Sequence, residues 1–263
     1  MRADVLLVER GLADSRAQAQ RLVMAGQVRV DGQLVLKPSS TVPPDAKIQI
    51  ERGPRYVSRG GEKLEAALDT FALDVSGKIC ADLGASTGGF TDCMLQHGAA
   101  KVYAIDVGKG ILHWKLRQDP RVVVMEDTNA RYVLELPEPV QIITVDASFI
   151  SLKVLLPVLR GWFPPRGGEM VALIKPQFEA GRSQVARGEG VIRDPSVHYQ
   201  VLMDVLNSAQ QEGYGVHGLM RSPLQGPKGN VEFLAYMIYV EEQRVELEEL
   251  VGDVIRDFQG NRD

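Results

Sequence analysis

Residues 81–91 read Ala81-Asp82-Leu83-Gly84-Ala85-Ser86-Thr87-Gly88-Gly89-Phe90-Thr91, an acid and a run of small residues between two apolar stretches. Residues 78–83 predict a buried strand and residues 89–97 the helix that follows it. Glycines at a strand-to-helix turn let backbone amides close on a ligand, which marks a nucleotide-type cofactor site. Working outward, residues 101–106 (KVYAID) predict a second strand ending in Asp106, where a carboxylate can accept from ribose hydroxyls. A third strand over 122–125 runs into Glu126 and Asp127, and a fourth over 141–145 ends at Asp146. Acids at the carboxyl ends of successive parallel strands point into one crevice, where ligands sit in open α/β sheets.

The glycine spacing narrows the ligand. A dinucleotide fingerprint would read G-x-G-x-x-G and place a diphosphate at the helix N-terminus. Here the next glycine after Gly84 is Gly88. The loop resembles the D-x-G-x-x-x-G turn of methyltransferases that bind S-adenosyl-L-methionine. That resemblance implies cofactor contacts from Asp82, Gly84, Ser86, Gly88, Gly89 and Phe90 in the turn, and from Ser58, Arg59 and Gly60 on the approach. It also implies Asp106 on the cofactor ribose and Asp127 on the adenine amino group.

With 263 residues the chain has room for one large domain and one small one. No apolar run approaches the roughly 20 residues of a membrane helix, and the start is no secretion signal, so a soluble, cytoplasmic protein with no membrane partner is expected. Cys80 and Cys93 have neither zinc spacing nor paired histidines nearby and read as buried thiols. His97, His113, His198 and His217 are scattered, so no metal site is expected. The formal net charge of −4 hides an asymmetry: residues 1–60 carry ten Arg and Lys against six Asp and Glu, and the rest carry 20 against 28. A basic module joined to an acidic one is an electrostatic sign of a polyanionic partner, although a solvated surface with a chance imbalance gives the same counts.

Residues 3–9 and 14–25 predict two short helices, with Asp14 or Ser15 as N-cap and Gly26 as the stop. Residues 27–30 and 34–36 flank Asp31-Gly32, a two-residue hairpin turn. The stretch LLVERGLADSRAQAQRLVMAGQVRVDGQLVLKPSSTV keeps its Gly-Leu, Ser-Arg, Gly-x-Val and Lys-Pro elements in the order of the S4 RNA-binding domain, which it closely resembles over about residues 2–51. The resemblance implies phosphate contacts from Arg16, Arg21, Arg29 and Lys37. With few aromatics in this module, recognition by backbone and shape fits better than base stacking.

Residues 53–61 (GPRYVSRGG) form a basic, glycine-rich segment between the modules, followed by Lys63. A fifth strand over 170–174 ends at Lys175, and the last apolar strand, over 232–240, begins at Glu232. The order Lys63, Asp146, Lys175, Glu232 resembles the K-D-K-E tetrad of FtsJ-class RNA ribose 2′-O-methyltransferases. Together with the S4-like module and the blocks SRGGEKL, DLGASTGGFTD, DVGKGIL, EDTNAR, DASFISL, LIKPQFE and SPLQGPKGNVEFL, the chain resembles the TlyA family of ribosomal RNA cytidine 2′-O-methyltransferases along almost its full length.

Several expectations follow from that resemblance. The fold is α/β: a Rossmann-like, doubly wound, mostly parallel seven-stranded sheet with a final antiparallel strand, preceded by a small α+β S4-like domain. The domains are 1–54 (S4-like), 55–62 (linker and start of the catalytic domain) and 63–263 (methyltransferase). The reaction is methyl transfer from S-adenosyl-L-methionine to a ribose 2′-hydroxyl, in ribosomal RNA or a ribosomal subunit. A 2′-hydroxyl is a poor nucleophile until it is oriented and begins to lose its proton. The resemblance assigns its activation to Lys175, as base or by positioning, with Lys63, Asp146 and Glu232 fixing the geometry. Alternatives are a non-catalytic RNA-binding or ribosome-assembly factor, and a membrane-active hemolysin, a label that members of this family have carried. The long segment 176–195 is basic in its middle through Arg182 and Arg187 and is expected to close over RNA beside Lys175. Residues 245–258 place Leu247, Leu250, Val251, Val254, Ile255 and Phe258 at helical spacing, read as core packing over a dimer face.

Overall fold

The chain is described by a computed structural model covering residues 1–51, 53–181, 188–240 and 246–260. It divides into two compact units, Met1–Arg55 and Tyr56–Asp263. In the first, α1 (Ala3–Glu9) and α2 (Arg16–Met24) pack together, and Ser15 caps α2 by accepting from the Gln18 amide at 3.2 Å. The hairpin of β1 (Val28–Val30) and β2 (Gln33–Leu34) turns on Asp31 at φ 49° and Gly32 at φ 80°, the paired positive φ of a tight hairpin. A third strand, β3 (Ile48–Ile50), pairs antiparallel with β1. The sequence reading missed it, because three residues are too few to show an alternation. Leu6, Leu7, Val23, Val28 and Val30 form the core of this unit.

In the second unit the described strands β4 (Ile79–Leu83), β5 (Lys101–Ile105), β6 (Val122–Met125), β7 (Ile142–Val145), β8 (Gly168–Ile174), β9 (Tyr214–Arg221) and β10 (Phe233–Tyr239) form one sheet, in the order β6-β5-β4-β7-β8-β10-β9. Pairing is parallel from β6 through β8, and β10 runs antiparallel to both its neighbours. A dinucleotide-binding sheet ends in the order 4-5-6. Here a reversed strand is inserted before the last one. The strand β9 was not read from sequence, since Gly215, His217 and Gly218 interrupt its apolar run.

Both faces of the sheet are covered, so its central strands read as continuous apolar runs rather than alternating ones. Helices α3 (Gly60–Phe71) and α4 (Gly89–Gln96) cover one face, where Leu64, Leu68, Cys93 and Met94 share a core with Cys80, Val102 and Ala104. After the short α5 (Trp114–Arg117), helix α6 (Leu152–Leu159) and, beyond the short α7 (Pro176–Glu179), α8 (Pro195–Gln211) and α9 (Leu247–Gly260) cover the other, over Tyr103, Ile105, Ile143 and Val145. Leu247, Val251 and Ile255 of α9 lie in this core, the use expected of them; Val245 and the Phe258 side chain lie outside what is described. Residues 56–62, read from sequence within the segment of linker and start of the catalytic domain, belong to the catalytic unit: Tyr56 is buried and the Val57 amide donates to Asp92 at 2.8 Å. The strand order reverses at β4, between β5 and β7, which sets a crevice at the carboxyl ends of these strands.

Candidate active site

Two cavities open at that crevice. The larger, about 570 Å³, is walled by Ser58, Arg59, Gly60 and Lys63, by the turn residues Gly84, Ser86, Gly89 and Phe90, and by Asp146, Leu224, Gln225 and Gly226. The smaller, about 280 Å³, is walled by Asp106, Val107, Ile111, Thr128, Asn129, Ser148 and Phe149. Gly84, Ser86 and Asp146 line both, so the two are halves of one cleft.

The turn after β4 is built for close approach. Gly84 lies at φ 81°, and a Cβ there would stand 2.7 Å from the Asp146 carbonyl oxygen. A Cβ on Gly89 would stand 2.4 Å from Ser58 Oγ and 2.8 Å from the Gly61 amide, so α4 begins against the start of α3 only because that position is bare. Asp106, just past β5, accepts from the Ser86 amide at 2.8 Å and the Gly108 amide at 2.7 Å. Its carboxylate thus faces the smaller cavity at the end of the second parallel strand, where a ribose diol fits. Val107, Ile111 and Phe149 add apolar walls suited to a purine ring. The donor set, the bare turn and the cavity size all fit S-adenosyl-L-methionine.

Three of the residues assigned to the cofactor from sequence line neither cavity. Asp82 is wholly buried, accepts from Thr91 Oγ1 at 2.6 Å and Thr144 Oγ1 at 3.3 Å, and burial pushes its carboxyl up to about 7 against those two hydrogen bonds. Gly88 is buried beside Leu112 and Leu116. Asp127 is exposed at φ 53°, and its neighbours Thr128 and Asn129 face the cavity instead. The acid before it, Glu126, accepts from the amides of Gly110, Ile111 and Leu112 and pairs with Arg117, which together pull its carboxyl down to about 2. It holds the 107–113 segment rather than a ligand.

The four tetrad residues form two ion pairs. Lys63 Nζ stands 2.5 Å from Glu232 Oε2, and Lys175 Nζ stands 2.6 Å from Asp146 Oδ1. Glu232 is 1% exposed and the Lys175 side chain 9%. The sheet brings them together: Ile174 of β8 pairs with Phe233 of β10, so the residues just outside each strand end lie side by side. Lys63 and Asp146 both wall the larger cavity, one from each pair.

Sequence reasoning missed the supports around them. Lys175 Nζ also donates to Ser148 Oγ at 2.9 Å, and Gln177 Nε2 donates to Glu232 Oε1 at 3.4 Å. Phe149, at φ 63° and 90% exposed, tilts against Phe178 with centroids 4.9 Å apart. A polar residue two places past Asp146 and another two past Lys175 were the available signals.

In the N-terminal unit Arg16 pairs with the buried Asp4 at 3.0 Å, and Arg29 pairs with Glu51 at 2.5 Å. Arg21 and Lys37 are exposed with no carboxylate partner among the described residues. Arg182 and Arg187 lie outside the described residues. Among the described residues no group of three or more His, Cys, Asp or Glu is placed to hold a metal ion, and no helix is long and apolar enough to cross a membrane.

A sheet with this strand order and a cleft fitted to a sulfonium nucleoside define an S-adenosyl-L-methionine-dependent methyltransferase. Residues 56–239 match the FtsJ-like methyltransferases and residues 1–48 match the S4 domain. The chain belongs to the FtsJ-like methyltransferase family, in the branch that carries an N-terminal S4 domain. It is 47% identical over 244 residues to the 16S/23S rRNA (cytidine-2′-O)-methyltransferase TlyA of Mycobacterium tuberculosis, covering 90% of this chain and 89% of that one. It is 41% identical to Hemolysin A of Brachyspira hyodysenteriae, over 90% of this chain and all of the other. The solved structure of a Streptococcus thermophilus protein with a provisional hemolysin label matches with a TM-score of 0.74 at 44% identity, over 99% of this chain and 98% of that one.

Proposed function

We propose that this protein methylates the ribose 2′-hydroxyl of a cytidine in ribosomal RNA, within naked RNA or a ribosomal subunit, and so works in the cytoplasm where that substrate is. The observation that carries the reading is the tetrad: two ion pairs, each with one buried residue and one half-buried residue in the wall of a single cleft. When bound, S-adenosyl-L-methionine supplies the electrophilic methyl carbon. Asp106 orients the nucleoside end from the smaller cavity, and the bare turn at Gly84 and Gly89 admits the other end.

Lys175 activates the hydroxyl. Its Nζ is fixed by Asp146 Oδ1, by the Asp146 carbonyl oxygen at 3.3 Å and by Ser148, and its aliphatic stem is buried, so the nitrogen has one position available to it. An amine held this way orients the hydroxyl for in-line attack and handles its proton as the oxygen–carbon bond forms. Lys63 and Glu232 hold each other beside Lys175, so that neither charge is left without a partner there. The test is transfer of labelled methyl to separated ribosomal subunits and to their naked RNAs, with the wild type beside Lys175→Ala. Incorporation into one particle, reduced about 10²-fold or more in the variant with cofactor affinity kept, is expected. A wild type that binds the cofactor and labels no RNA refutes the reading in favour of an assembly factor.

A further inference from the structure

The segment between Asp106 and β6 does more than wall the smaller cavity. Residues 107–121 carry four Lys and Arg against one Asp, within a unit whose overall balance is acidic. Its middle is held firmly: Leu112 and Leu116 are buried, the His113 amide donates to the Thr87 carbonyl at 3.1 Å, and Glu126 collects the three amides and Arg117 described above. On this fixed base Trp114 opens α5 at 66% exposure and lines neither cavity. His113 tilts beside it at 5.9 Å between ring centroids and accepts from the Lys115 amide. Lys109 is exposed with no partner among the described residues, and Lys115 reaches Asp92 only at 3.6 Å while remaining 59% exposed.

A large and mostly exposed aromatic ring on a fixed backbone offers apolar area that a stacked partner would bury. Neither the protein core nor the cofactor cleft covers this one. The flanking charges choose the partner: a ring with ammonium groups on either side suits a base stacked on it with phosphates alongside, the combination that single-stranded nucleic acid meets in its binding grooves. The same segment supplies Val107 and Ile111 to the smaller cavity, and Trp114 follows Ile111 by three positions in the chain.

We infer that Trp114, Lys109 and Lys115 form a platform for an unpaired stretch of the RNA substrate adjoining the target nucleotide. The inference rests on the proposed RNA methylation and adds a second RNA surface, on the catalytic unit. It stacks an unpaired base, whereas the S4-like unit is suited to backbone and shape.

Of the two tryptophans, Trp162 is 1% exposed, so solvent-sensitive fluorescence of the full chain reports Trp114. The protein is titrated with a single-stranded oligoribonucleotide of about 12 nucleotides and with the duplex of the same sequence. Quenching by the single strand well beyond that by the duplex is expected. Trp114→Ala should weaken single-strand binding by about ten-fold and raise KM for the ribosomal substrate, while Trp114→Phe keeps most of both and cofactor affinity stays unchanged in each. Lys109→Ala with Lys115→Ala should lower the slope of log K against log salt by about 1 to 2. Wild-type constants in Trp114→Ala, or emission indifferent to saturating RNA, overturn the platform while methylation by the wild type stands. Quenching and the Trp114→Ala loss, in a protein that methylates no ribosomal RNA, would keep the platform and remove the proposed reaction.

Discussion

Asp82 is a carboxylate with no exposed surface and, among the described residues, no cation paired with it, held by two threonine hydroxyls under the cofactor turn. Its folded value of about 7 stands above the ordinary 3.8, mainly through burial and further through Asp146. The folded protein therefore holds this proton more tightly than the unfolded chain. The contribution of the neutral acid is fully present below about pH 4 and is lost as pH rises through about 7. Asp82→Asn should remove that slope: chemical denaturation at pH 5, 6, 7 and 8 should show the variant gaining on the wild type as pH rises, then running parallel above about pH 7.5. Parallel curves throughout would mean that Asp82 stays charged at every pH tested. The sequence placed Asp82 and Asp127 in the cofactor site because both border a strand end. It could not say which way each side chain turns. Asp82 still belongs to the strand β4 and faces the interior, while the positive φ at Asp127 turns that residue outward and brings Thr128 and Asn129 to the cavity.

Elements that the sequence displayed are those whose pattern runs long enough to be read. The strands β5 to β8 are apolar runs followed at once by an acid or a lysine, and their order along the chain was enough to place Asp146 and Lys175 at strand ends. The short β3 and the glycine-interrupted β9 carry no such run. Nor could the sequence show the pairing of the tetrad, which depends on β7 lying beside β8, where Lys175 meets Asp146, and on β10 being laid beside β8, which brings Glu232 to Lys63. The turn at Gly84 offers a test at this scale. Gly84→Ala would bring a methyl group to 2.7 Å from the Asp146 carbonyl at a φ of 81°. A cost of about 1–3 kcal/mol is expected for the strain alone. Because Asp146 is the group displaced, methyl transfer should fall further than the thermal midpoint implies. Calorimetry and initial rates on the same sample compare the two, and an unchanged rate would show that the loop relaxes away from Asp146.

At the scale of the molecule, the charge imbalance between the two units was legible from counting residues, and the structure divides the basic candidates by their surroundings. Arg16 helps hold the buried Asp4, whose carboxyl lies well below its usual range through Arg2 first, with Gln20 and Arg16. Arg16→Ala should therefore lower stability as well as any RNA contact. Arg21 and Lys37 have no such duty. Replacing both by glutamate should leave melting and cofactor binding unchanged, weaken binding to ribosomal RNA, and reduce the salt slope by about 1 for each lost phosphate contact. A salt slope unchanged in that variant would place the polyanion contact of this unit on other residues.

The reversed strand β10 has a further consequence, in time rather than in space. Lys63 lies within α3, and Asp146 and Lys175 directly follow β7 and β8, whereas Glu232 comes after all of them, just before the strand that enters the sheet between two already made. Until it does, Lys63 has no carboxylate to meet and the edge of β8 is open to any passing strand. During synthesis the proposed tetrad is thus incomplete until residue 232 is made, just ahead of the strand that completes the sheet.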